Sequence, residues 1–119
     1  MSFYFTIDKP LGKNDPLLIR LSGRMTLGPQ LIDFSRQLAE VLASHRSRGV
    51  VLDVSAVTEL DSAGLGELVV LYTRAGKNGC RLCLLSPTPR IVRLLEMTKL
   101  SGILPYFQNA ASVAVWLSG

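Results

Sequence analysis

The chain has 119 residues, 48% hydrophobic and 18% charged, with two cysteines, one histidine and a formal net charge of +4. That size fits one domain spanning residues 1–119, and the apolar content excludes a disordered regulator. Two cysteines exclude a disulfide scaffold, and the longest apolar run, residues 68–72, is far short of the roughly 20 residues that span a bilayer.

The first predicted element is a strand over Phe3–Ile7, where bulky and smaller residues alternate. A turn-rich connection, Pro10 to Pro16, leads to a second strand over Leu17–Leu21, antiparallel to the first because the link is short and ended by Gly23. From Leu27 to Arg48 the period becomes helical: Leu31, Phe34, Leu38, Val41, Leu42 and His45 share a face. Pro29 suits the first turn of that helix and Gly49 its end. Val50–Val54 reads as a central buried strand ending near Ser55, followed by a loop. A helix over Ala63–Ala75 stops at Gly76-Lys77-Asn78-Gly79. Then come a strand over Cys80–Leu85, a helix over Pro89–Met97, a break at Gly102, an extended piece over Ile103–Phe107 and a last helix over Ala110–Leu117. The order β-β-α-β-α-β-α-β-α places the chain in the α/β class, with a mostly parallel or mixed sheet.

Charge is unevenly spread. Residues 68–119 hold Arg74, Lys77, Arg81, Arg90, Arg93 and Lys99 against the single acid Glu96. These cations are scattered singly without aromatic neighbours, which favours a solvated surface over direct nucleic-acid binding. No basic segment precedes an apolar one in Met1-Ser2-Phe3-Tyr4-Phe5, so the expected location is the cytoplasm, without membrane insertion.

Local rules break at Leu60-Asp61-Ser62-Ala63-Gly64-Leu65-Gly66. Gly64 and Gly66 fall in the first turns of a helix, where each costs about 1 kcal/mol relative to alanine. Neither Asp61 nor Ser62 has a Glu or Gln three residues on, so there is no capping box. Such breaches often mark function, and small residues there let a partner approach closely. Ser62 has three readings: a helix cap, a nucleophile, or a phosphate acceptor. The nucleophile reading lacks a base, because His45 lies at the end of another helix and the pattern is not Gly-x-Ser-x-Gly. Cys80-Arg81-Leu82-Cys83 has redox or half-zinc spacing, yet residues three apart on a strand face opposite ways and further ligands are missing, so both cysteines are expected in the core. On the Ala63–Ala75 helix, Leu65, Leu68, Val69 and Tyr72 form the core stripe; Val70 and Leu71 fall outside it and suggest an exposed apolar strip beside Ser62.

The sequence resembles the STAS domain family of bacterial anti-sigma-factor antagonists over nearly its whole length. The likeness runs through Leu21-Ser22-Gly23, Val51-Leu52-Asp53-Val54, the Asp61–Gly66 element, Leu84-Leu85-Ser86-Pro87 and Leu94-Leu95-Glu96-Met97-Thr98-Lys99-Leu100. It implies a small mixed sheet with helices packed mainly on one face, and a protein that binds rather than catalyses. In this resemblance the partner is an anti-sigma factor that is also a serine kinase. The kinase phosphorylates the serine after the aspartate, here Ser62 after Asp61, and a PP2C-type phosphatase reverses it. The implied partner surface comprises Thr26 and Asp61, Ser62, Ala63, Gly64, Leu65 and Gly66, with no metal and no cofactor.

Two positions depart from the family pattern. Ala63 replaces a second hydroxyl residue, leaving Ser62 the acceptor within the element, and Thr26 stands where a Gly-x-x-Asp pattern has its acid. STAS domains also serve as non-phosphorylated subunits of lipid or anion transport complexes, which is the competing function. A nucleotide-using enzyme built on Gly64-Leu65-Gly66 lacks the lysine such a loop needs. The residues do not choose between a monomer and a homodimer.

Overall fold

The computed structural model describes residues 2–8, 16–44 and 48–119. The predicted Pro10–Pro16 connection and His45 fall largely or wholly outside them. In chain order the elements are β1 (Phe3–Asp8), β2 (Leu17–Met25), α1 (Pro29–Ser44), β3 (Gly49–Leu60), α2 (Ser62–Lys77), β4 (Arg81–Leu85), α3 (Pro89–Met97), β5 (Tyr106–Phe107) and α4 (Ala110–Ser118). The predicted order holds.

Among the described residues the strands form one sheet in the order β1-β2-β3-β4-β5. β1 runs antiparallel to β2, with Phe3 opposite Gly23 and Asp8 opposite Leu18. The pairs β2–β3, β3–β4 and β4–β5 are parallel. Each parallel step needs a crossover, supplied by α1, α2 and α3 in turn. All three pack on the same side, as successive right-handed crossovers in one direction require.

Strand alternation sorts the side chains between two unequal cores. Leu17, Ile19, Val50, Leu52, Leu82 and Leu84 face α1–α3 and join Phe34, Leu38, Leu68, Leu71 and Leu95 in the large core. Val51 and Cys83 point the other way, against Val113 of α4. Cys80 belongs to the first cluster and Cys83 to the second, so they lie on opposite sides of the sheet and form no disulfide with each other. Burial pushes the Cys83 thiol up to about 12, with Arg81 opposing the shift.

β5 keeps only Tyr106–Phe107 of the extended piece expected over Ile103–Phe107, and two further boundaries differ from expectation for one reason. β2 does not end at Gly23 but continues to Met25, and β3 does not end near Ser55 but continues to Leu60. Arg20 pairs with Asp53, Ser22 with Ala56, Gly23 with Val57 and Arg24 with Glu59, so the offset between partners grows by one at each irregularity. Each extra residue on β3 is a bulge that resets its alternation. The inward positions therefore become Leu52, Val54 and Val57 followed by half-buried Leu60, a spacing that does not read as a strand. Gly23 passes through the distortion at φ +91°, where a Cβ would strike the Ser2 carbonyl.

Candidate functional site

The continuation of β3 leaves Asp61 as the sole residue between strand and helix, so Ser62 is the first residue of α2. Asp61 has extended backbone at φ −98° and ψ −175°, as an N-cap requires. Its Oδ1 accepts from the Gly64 N–H at 2.8 Å, and its Oδ2 accepts from the Leu27 N–H at 2.9 Å. One carboxylate thus caps α2 and fixes the β2–α1 loop, which carries Thr26, against it. The Leu27 N–H, then the Gly64 N–H, hold the Asp61 carboxyl below the usual carboxylate range.

Ser62 is exposed, and its hydroxyl makes no hydrogen bond among the described residues. It stands at the positive end of α2, with Ala63 half-buried beside it. No three His, Cys, Asp or Glu side chains among the described residues gather into a metal-binding group.

The two glycines do different things. Gly64 is buried, and a Cβ there would run into the Met25 carbonyl oxygen and lie 2.8 Å from a Leu60 methyl. Its smallness serves the chain's own packing of α2 on the end of β2. Gly66 is exposed with nothing within 4 Å of its Cβ position, which leaves room for an incoming surface. Leu65 is 9% exposed and belongs to the core.

The apolar strip also moves. Leu71 is fully buried, because α2 turns Leu65, Leu68, Leu71 and Ala75 inward, and only Val70, at 40% exposure, remains of the expected strip. The large apolar exposure near Ser62 comes instead from Leu27 (74%) and Ile32 (64%). These flank a cavity of about 380 Å³ between α1 and α2, with Ala63, Ser35, Glu67 and Arg74 also in its lining. Ile32 could have been found from the sequence, since it falls outside the Leu31–Phe34–Leu38 stripe. Leu27 could not, because its position depends on Asp61 34 residues away.

Glu67 is the other residue that the sequence reading missed. Its Oε2 is buried without a hydrogen-bond partner among the described residues, and that desolvation raises its pKa against the opposing Ser35 hydroxyl and Arg74 charge. No helix among the described residues is long and apolar enough to cross a membrane.

Comparison with known proteins agrees with this fold. The STAS domain family profile matches residues 10–113. An anti-sigma F factor antagonist of Paenibacillus polymyxa is 30% identical over 94 residues, covering 78% of this chain and 79% of its own. A putative anti-sigma factor antagonist from Thermotoga maritima superposes with a TM-score of 0.82 at 19% identity, covering 98% of this chain and 95% of that one. The phosphorylated form of the Bacillus cell fate determinant SpoIIAA superposes with a TM-score of 0.70 at 14% identity, covering 93% and 97%.

Proposed function

Because the chain belongs to the STAS domain family, we propose that it is an anti-sigma-factor antagonist, a binding protein switched by phosphate on Ser62. In this reading residues 1–119 act as one domain in the cytoplasm and carry out no catalysis themselves. The unphosphorylated chain captures an anti-sigma factor with serine-kinase activity. That kinase modifies Ser62, and a PP2C-type phosphatase restores it.

The observation that carries the reading is the state of Ser62. It is exposed, unbonded and first in its helix, on a turn held by both oxygens of Asp61 and flanked by exposed Leu27 and Ile32. A phosphoryl group there adds about −1.5 to −2 charges at neutral pH. The amino end of α2 tolerates that charge within the chain, whereas an apolar partner surface closing over it would leave the charge desolvated. Every 1.4 kcal/mol of that penalty is about tenfold in affinity, so modest repulsion releases the partner. The occurrence of a phosphorylated form in a structural relative fits the same logic.

The test is mass spectrometry of the protein from its own cells, reading the tryptic peptide 49–74, which carries Ser55, Thr58, Ser62 and Thr73. The expected result is phosphate on Ser62 that varies with growth condition, together with an anti-sigma partner that co-purifies with the wild type and is lost from Ser62→Asp. A peptide unmodified across stresses, with an ATPase or permease as the constant companion, overturns the switch in favour of a constitutive transport-complex subunit.

A further inference from the structure

β3 is longer than its neighbour. Its pairing with β4 stops at Asp53 opposite Leu85, while the strand itself runs on to Leu60 with β2 as its partner. The Ser55 N–H turns back onto the Asp53 carboxylate at 3.0 Å. Residues 56–60 therefore present a strand edge that no other strand among the described residues covers. Such an edge offers main-chain donors and acceptors, interrupted by the bulge between Val57 and Glu59, to an extended chain laid along it.

A groove lies against that edge. Residues 57–60 form one wall of a cavity of about 290 Å³, and Arg90, Arg93, Leu94 and Met97 of α3 form part of the other. Arg90 and Arg93 are three apart on the helix, so they rise from the same side of α3. Both are exposed and neither has an ion pair among the described residues. The acid in the lining, Glu59, is already held by Arg24 at 3.1 Å. Met97, 74% exposed, adds an apolar lip. Two of the six cations of the second half of the chain, Arg90 and Arg93, thus stand beside an open edge.

The geometry points to a peptide-binding site in which an extended, acidic segment of a partner protein adds as a strand along residues 56–60, its carboxylates bound by Arg90 and Arg93. Main-chain pairing supplies a sequence-independent part of such binding, and alternate side chains supply selectivity. Arginine forks suit carboxylates because both oxygens are engaged at once. The site is distinct from the α1–α2 cavity beside Ser62, so it stands or falls independently of the phosphate switch.

The test uses the ¹⁵N-labelled full chain titrated with a capped hexapeptide of alternating Glu and Val. Three control probes are its Gln-for-Glu analogue, an analogue N-methylated at alternate amides, and inorganic phosphate. The expected result is amide shifts confined to residues 54–60 and 88–97. Arg90→Gln/Arg93→Gln should weaken binding by about tenfold or more, and N-methylation should abolish it. The double variant changes only exposed side chains, and its amide spectrum verifies the fold. The proposal is overturned by no binding at millimolar peptide, by shifts on the α1–α2 face, or by equal affinity for the Gln analogue. It is equally overturned if the N-methylated probe binds unchanged, or if phosphate alone reproduces the shifts, which would mark a simple anion site.

Discussion

At the scale of single residues, the site rests on an aspartate and a glycine whose duties are mechanical. Asp61 accepts two main-chain hydrogen bonds, one within its own helix and one from the β2–α1 loop. Its carboxyl pKa is lowered, so folding favours the ionised form. The associated stability is complete above the ordinary carboxylate value of about 3.9 and is lost as pH falls through the lower folded value. Asp61→Ala is expected to lower stability by about 1–2 kcal/mol at pH 7, as loss of an N-cap does, with the gap from wild type closing below about pH 4. Urea melts of both proteins at pH 7 and pH 3 check this; a gap that stays constant with pH refutes it. Gly64 and Gly66 give a matched pair. Gly64→Ala forces a methyl against the Met25 carbonyl and is expected to cost about 2–3 kcal/mol or more. Gly66→Ala meets open space inside a helix and is expected to gain about 0.5–1 kcal/mol. If Gly66 receives a partner, that more stable variant binds the anti-sigma factor less tightly, a combination that thermal melts and pull-down measure separately.

At the scale of elements, the parts of the fold set by local pattern were legible and those set by pairing were not. α3 was read at its observed bounds because Pro89 sits at its first position and its apolar residues keep a strict period. The Asp61–Ser62 pair was legible for the same reason, since an N-cap acts over three residues. The second half of β3 was not, because two bulges reset its alternation and only pairing with β2 makes it a strand. Leu71 is buried against expectation because the inward stripe of α2 runs through Leu65, Leu68, Leu71 and Ala75, rather than through Val69. Between α1 and α2, Glu67 places its Oε2 where water is excluded and no donor among the described residues meets it. Its pKa is raised by burial, so the fold favours the neutral acid; that stability is full below about pH 4.3 and is lost as pH rises through the raised value. Glu67→Gln keeps the shape and removes the charge. It is expected to stabilise the chain by up to about 1 kcal/mol at pH 8 and by nothing at pH 4, in denaturant melts at the two pH values. A gain at both would mean that packing, rather than charge, sets the cost.

At the scale of the whole molecule, the sheet is covered unequally. Three crossover helices bury one face in a large continuous core, and the other is met by α4, whose buried contribution is Val113 against Val51 and Cys83. Half-buried Leu18, Leu85, Phe107, Trp116 and Leu117 complete that smaller cluster, with the Phe107 and Trp116 rings 5.4 Å apart. So little burial leaves α4 dependent on its margin, where the Arg81 guanidinium stacks 4.1 Å from the Trp116 ring centroid and donates to the Trp116 carbonyl at 2.6 Å and the Gly119 carbonyl at 3.3 Å. Arg81 belongs to β4, so one side chain ties the end of the last helix to the sheet. A cation over a half-buried indole contributes about 0.5–2 kcal/mol, and a hydrogen bond from a charged donor about 1.5–3 kcal/mol. Elements with few apolar contacts open below the global unfolding energy, so the loss should appear locally first. Arg81→Ala is therefore expected to accelerate amide exchange in residues 110–118 by about tenfold or more, leaving α1 and α2 at their wild-type protection. Hydrogen exchange followed by residue decides the matter: faster exchange spread evenly over all helices would mean that the two faces unfold as one unit and that Arg81 supports the large core as well.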